Sequence, residues 1–219
     1  MFRNIDLNEI SDGRRYGPHE RVMADCGDCD GCSECCRVTG DTIVLDPRDA
    51  YELMKAEKKT FGELTEYCVE LNVKDGLILP NLKVRDGDGC TFLTSEGMCG
   101  IHGNRPGFCR LFPLGRLYEN GSHSYFLQVN ECPKKDKAET TVCRQVGIEN
   151  FDEYEKFIDD WHYFLLKLQK IAGLGEDERK NISTVILKFF YYTEYNIKAD
   201  FYGQFYERLN YVKSAVGME

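Results

Sequence analysis

Cysteines recur at every third position from Cys26 through Cys29 and Cys32 to Cys35, and Cys36 follows directly. A two-residue gap lets successive thiolates curl around one metal centre, with the intervening backbone N–H groups directed at the sulfurs. Zinc sites more often set one C-x2-C pair against a second pair at a distance. A chained C-x2-C-x2-C is closer to the ferredoxin run, although the x3-C-P that continues that run is absent here. The spacing therefore favours an iron–sulfur cluster, a 4Fe–4S type first, over zinc. Side chains of neighbouring residues diverge when the backbone is extended. Cys35 and Cys36 accordingly serve two different metals, or one serves the metal while the other faces a substrate or packs.

A second set, Cys90, Cys99, Cys109 and Cys132, lies in or beside the Gly- and Pro-dense stretch 86–115. So long a stretch without periodicity is uncommon in a compact domain unless it is functional, and a metal staple is the simplest ordering agent. Arg105 and Arg110 flank Cys109. Buried thiolates carry costly negative charge, which guanidinium donors would offset around the bound cofactor. The plainer reading of each arginine is a surface ion pair. Cys68 falls on an apolar helix face and reads as a core thiol, and Cys143 reads as a bystander. His102 suits either a metal or a hydrogen-bonding role. His19, His123 and His162 have no clustered partners in the sequence.

The run Cys29-x2-Cys32-x2-Cys35-Cys36 resembles the signature of the CxxCxxCC (YkgJ-like) family of zinc- or iron-chelating cysteine-cluster domains. The later segments Cys90-Thr-Phe-Leu, Cys99-Gly-Ile-His102 and Arg105-Pro106-Gly-Phe-Cys109-Arg110-Leu-Phe112-Pro113 look like that family's second signature, and Cys132 matches its last cysteine. The resemblance covers roughly 25–135. It implies that the eight matching cysteines bind metal, and it names no reaction. Cys26 extends the run by one further step and joins the expected ligand set.

The remainder of the composition narrows the class. Charged residues make up 30% and hydrophobic ones 42%, ordinary for a soluble globular protein. No stretch approaches the roughly 18 apolar residues of a spanning helix. The first residues show no secretory pattern, so a cytoplasmic location is expected. There, disulfides are disfavoured as the explanation of so many cysteines. A net charge of −9 without a basic stripe argues against nucleic acid and against anionic membrane surfaces.

The elements that must position these residues can be read in outline. The expected fold is mostly α with a small β hairpin. Residues 1–24 form an N-terminal arm, 25–135 a cysteine domain ordered by metal, and 150–216 a helical region packed on it. Asp46-Pro47 starts a helix running to about Lys58. Thr60 and Glu63 make a capping box for a second, with Phe61, Leu64, Cys68 and Leu71 on one face. Residues 77–85 read as a strand pair or extended edge because of Pro80. Residues 116–129 read as a hairpin turning at Asn120-Gly121. Beyond 150, apolar residues from Phe151 to Ile171 recur at helical spacing and stop at Gly173. Two more helices are expected, over roughly 177–196 and from Asp200.

Three functions compete on the sequence. The first is a metal-binding cysteine-cluster protein in redox, metal handling or cluster-dependent maturation. The second is an enzyme: flagellin lysine N-methylases carry a similar cysteine signature, which raises an S-adenosylmethionine-dependent protein modification, but no nucleotide-binding loop supports that cofactor. The third is a structural zinc scaffold whose aromatic C-terminal helices bind a protein partner.

Overall fold

The computed structural model describes residues 7–27, 32–38, 42–85, 89–173 and 175–218. A short helix α1 (Leu7–Ile10) precedes strand β1 (Arg21–Asp25), and helix α2 (Glu34–Val38) carries the end of the cysteine run. Helix α3 (Pro47–Glu57) begins as expected: the Asp46 side chain accepts from Asp49 N at 2.8 Å, while Asp46 N donates back to Asp49 at 3.2 Å. Helix α4 (Phe61–Tyr67) has its Thr60/Glu63 capping box.

The chain departs from expectation after α4. Cys68 caps the helix, and Leu71 lies not on its face but in strand β2 (Val69–Lys74), which pairs with β3 (Leu77–Leu82). Asp75 and Gly76 both adopt positive φ, 48° and 85°, the conformation of a tight two-residue hairpin turn. That turn and the β-branched Val69 and Val73 overrule helical spacing. Pro80 is accommodated within β3, where its carbonyl accepts from Leu45 N at 2.8 Å.

Two further short strands, β4 (Val84–Arg85) and β5 (Gly89–Cys90), pair ahead of a 3-10 turn at His102–Asn104 and helix α5 (Gly107–Leu111). The expected hairpin follows as β6 (Leu114–Glu119) and β7 (Ser122–Leu127), closed by Asn120-Gly121. Strand β8 (Ala138–Thr141) returns to pair antiparallel with β1. The described residues thus hold four two-stranded antiparallel pairs, against the one hairpin and the strand pair or extended edge expected at 77–85. The β1–β8 pair escaped notice because its partners are more than a hundred positions apart.

Helix α6 (Val142–Val146) leads into α7 (Phe151–Ala172), α8 (Glu176–Leu187) with a π-helical turn at Lys188–Tyr192, and α9 (Phe201–Ala215). The stripe on α7 faces inward: Tyr154, Phe157, Ile158, Trp161, Phe164 and Leu168 are all buried. Phe157 meets Phe205 of α9 edge-on at 4.7 Å, and Trp161 meets Phe190 at 4.9 Å, geometries that aromatic quadrupoles favour. The same apolar core continues through α3, α4 and β3 to Tyr16 and Val22 near the N-terminus. Tyr16 exchanges backbone hydrogen bonds with Tyr125 of β7 at 2.8 and 2.9 Å. No helix among the described residues is long and apolar enough to cross a membrane.

Candidate metal centre

Cys109 is placed by α5, a helix too short to hold itself. Its start is fixed from α3: Asp49, 4% exposed, accepts from Gly107 N at 2.7 Å. A Cβ on Gly107 would run into the Tyr154 hydroxyl, so only glycine lets α5 sit this close to α7. Arg110 holds the preceding loop. Its guanidinium donates to the carbonyls of Arg105 at 2.8 Å, Gly147 at 3.3 Å and Gly103. Arg105 Nε donates to His102 O at 3.1 Å.

Cys35 and Cys36 come from α2, Cys90 from β5, and Cys99 from a loop bridged to Leu93. The two halves meet backbone to backbone at Gly89. A Cβ there would stand 2.6 Å from Cys36 O and 2.9 Å from Arg37 Cα, and the glycine has φ +84°. Arg85 ties the loop beyond β5 by donating to Leu93 O at 2.7 Å.

The outcome is one pocket whose wall includes Cys32, Cys35, Cys36, Cys90, Cys99 and Cys109. Ile43, Leu82, Met98, Phe108 and Phe112 make the rest of it largely apolar, and Arg105 and His102 also reach it. Cys32, Cys36, Cys90 and Cys109 are held in no disulfide. The surroundings of Cys36, Cys90 and Cys109 resist ionisation. Burial, then the nearby Cys90 and Asp49, pushes the Cys109 thiol well up. Burial does the same to Cys90. Cys36 is raised first by its hydrogen bond with Cys35 and then by burial. A cation is the group such a pocket lacks for its sulfurs to carry charge.

Not all of the expected residues line the pocket. Cys29 is outside the described residues. Cys26 and Cys132 do not line the pocket; they face one another with their sulfurs 3.4 Å apart. Arg110 is not in the pocket wall either, its donors being taken by backbone carbonyls. Cys68 is fully buried, 3.5 Å from Leu64 O, and is the core thiol anticipated from its position. Cys143 sits at the start of α6 beside Thr141 Oγ1, at 3.2 Å. Sequence reasoning missed Asp49, Gly89 and Gly107, which shape the pocket without contributing a sulfur. Asp49 was hidden by its local role as the reciprocal partner of the Asp46 cap.

The donor set suits a thiophilic metal, since soft thiolates select zinc, copper(I) and iron–sulfur clusters. Among the described residues, however, no group of three or more His, Cys, Asp or Glu is arranged to hold an ion as it stands. The six sulfurs share a wall without forming a finished coordination shell, as expected of sites that close around their metal.

No curated protein and no solved structure matches the chain. A family model does, over residues 28–145, more than half of the sequence and all six pocket cysteines. That model is CxxCxxCC, described as a putative zinc- or iron-chelating domain, and the chain belongs to this family.

Proposed function

We propose that the chain is an iron–sulfur protein in which Cys32, Cys35, Cys36, Cys90, Cys99 and Cys109 supply the cluster ligands, and that it serves redox, metal handling or cluster-dependent maturation. The observation that carries this reading is the gathering of six cysteine side chains from two distant stretches into one apolar pocket. A closed zinc site and a 4Fe–4S cluster each take four protein ligands, so six sulfurs can supply either. The chained spacing of the first run favours a cluster on independent grounds.

The chain's own residues then have separable roles. The thiols give up protons as metal binds, so loading releases acid to solvent. Ile43, Leu82 and Phe112 keep water from the sulfurs, which strengthens charge–charge attraction there. Arg105 at the wall offsets the negative charge of the thiolates, while Arg110 and Asp49 hold the loop and helix that aim Cys109. When bound, the cluster would supply one-electron chemistry.

Anaerobic purification followed by metal analysis and a visible spectrum tests this directly. Brown protein with iron and acid-labile sulfide, bleached by air, is the expected result. Colourless protein with stoichiometric zinc and no sulfide would sink the iron–sulfur reading. Chelation is expected to speed proteolysis within 32–38 and 89–110 before 151–215 is touched, and equal protection of all three segments would contradict the pocket assignment.

A further inference from the structure

Strand β2 reads Val69-Glu70-Leu71-Asn72-Val73-Lys74 and, among the described residues, has a strand on one side only, β3. Opposite Val69, Leu71 and Val73 stand Leu82, Pro80 and Ile78. The peptide groups of these three point away from β2. Leu82 N donates to Ile43 O at 2.9 Å, Pro80 O accepts from Leu45 N at 2.8 Å, and Ile78 N donates to Ser183 Oγ at 3.0 Å. In an antiparallel pair, residues facing such positions turn their own N–H and C=O groups outward on the other side. Val69 is buried, but Leu71 and Val73 are 38% and 59% exposed. The outer edge of β2 therefore presents backbone donors and acceptors beside two exposed apolar side chains, which makes it a template for another strand.

We propose that this edge pairs with the same edge of a second copy of the chain, antiparallel about a twofold axis at Asn72. The strand is self-complementary in that register. Leu71 of each copy stands opposite Val73 of the other, and Glu70 opposite Lys74. Leu71 and Val73 are the accessible residues with outward peptide groups, so each facing pair exchanges both of its backbone hydrogen bonds. The charges select the occupant, because opposite charges directly across an antiparallel pair stabilise it and like charges weaken it. Asn72 Nδ2 donates to Glu70 Oε1 at 3.0 Å, which keeps that carboxylate on the face it shares with Lys74. Moving the axis to Leu71 or Val73 would set Glu70 or Lys74 against Asn72 and lose the charge match. A twofold contact uses each edge once and closes, so it ends in a dimer rather than a fibre. One short strand pair buries less than the roughly 800 Å² per partner of a standard interface, so the dimer is reversible and grows with concentration.

The test follows the full chain, as purified, by sedimentation velocity over a concentration series and by amide hydrogen exchange at the two ends of that series. Expected are a monomer–dimer equilibrium and slower exchange at Leu71 and Val73 in the concentrated sample. Glu70→Lys and Lys74→Glu should each leave the chain monomeric by setting like charges across the axis, and the double variant Glu70→Lys/Lys74→Glu should restore the dimer. Val73→Lys, at an exposed position, should abolish the dimer with unchanged circular dichroism and metal content. A monomer at every soluble concentration overturns the proposal. So does a dimer that survives Val73→Lys, or single charge reversals that dimerise as well as the wild type, or open-ended aggregation in place of a dimer.

Discussion

Around Phe205 the neighbours are rings: Phe157 at 4.7 Å, Phe190 at 5.8 Å, Phe201 at 5.9 Å and Trp161 at 6.0 Å. Around the pocket that holds Cys109 they are five other thiols, a guanidinium and a rim of partly exposed apolar side chains. Helices α7 and α9, with 22 and 15 residues, bury their stripes against each other and against α8. Helices α2 and α5 have five residues each and are held from outside, at Gly89 and by Asp49. The first region is stabilised by removing apolar surface from water. The second depends on a few backbone contacts and on what its sulfurs bind. The two should therefore fail separately.

The largest effect is expected in the helical core. Phe205→Ala should cost about 3–5 kcal/mol, read from denaturant unfolding, with the metal content of the molecules that remain folded unchanged. A variant that lost its metal while still folded would break the division. Asp49→Ala comes next. It leaves Gly107 N–H and Asp46 N–H without their acceptor, at about 1–3 kcal/mol, and should weaken metal retention as well because Cys109 loses its anchor. Asp49→Asn keeps one acceptor oxygen, which can serve Gly107 N–H, so it should retain metal better than alanine while recovering only part of the stability. If alanine lowered stability yet left metal retention intact, Asp49 would not be a positioning residue.

Gly89→Ala sharpens the comparison because Gly121 offers a control. Both glycines have φ +84°, but a Cβ on Gly121 meets nothing within 4 Å, whereas one on Gly89 meets Cys36 O and Arg37 Cα. Each substitution carries a backbone strain of about 1–3 kcal/mol. Only Gly89→Ala should also undock α2, seen as faster proteolysis at 32–38 and lower metal content. Equal behaviour of the two variants would mean that the close approach at Gly89 does not matter.

The helical region was the more legible of the two in the sequence, for a physical reason. Amphipathic spacing from Phe151 to Ile171, a stop at Gly173 and a helix beginning near Asp200 are local signals, and the core they predict is the core found. The hairpin at Asn120-Gly121 was legible in the same way. The cysteines announced themselves by type and spacing, and their division was not readable. That Cys109 joins Cys35 and Cys36 in one pocket while Cys26 faces Cys132 depends on the β1–β8 pairing and on the Gly89 contact, both long-range. Leu71 shows the complementary failure. Helical spacing beyond Cys68 was a coincidence that the Asp75-Gly76 turn overrode.

Where β6 and β7 lie against α7, two partly buried histidines titrate in opposite senses. His123 has Nδ1 2.6 Å from Asp159 and Nε2 3.3 Å from Glu155. Burial opposes its protonation, but the two carboxylates prevail and raise it above the ordinary histidine value. His162 stacks on Tyr118 at 3.6 Å with no hydrogen-bond partner at Nε2 among the described residues, and burial drives it down to about 4. A raised histidine stabilises the fold fully below its unfolded value, near 6.5, and that contribution fades as pH rises through the folded value. A lowered one does the reverse: the unfolded chain binds the proton first, so stability falls as pH drops from 6.5 towards 4. Denaturation midpoints measured against pH should therefore decline on both sides of about 6.5. His162→Phe, which keeps a ring against Tyr118, should flatten the acid side alone, and His123→Gln the alkaline side alone. Both substitutions should leave metal content untouched, because neither histidine lines the pocket. An acid limb unchanged in His162→Phe would show that carboxylates, not this ring, govern it.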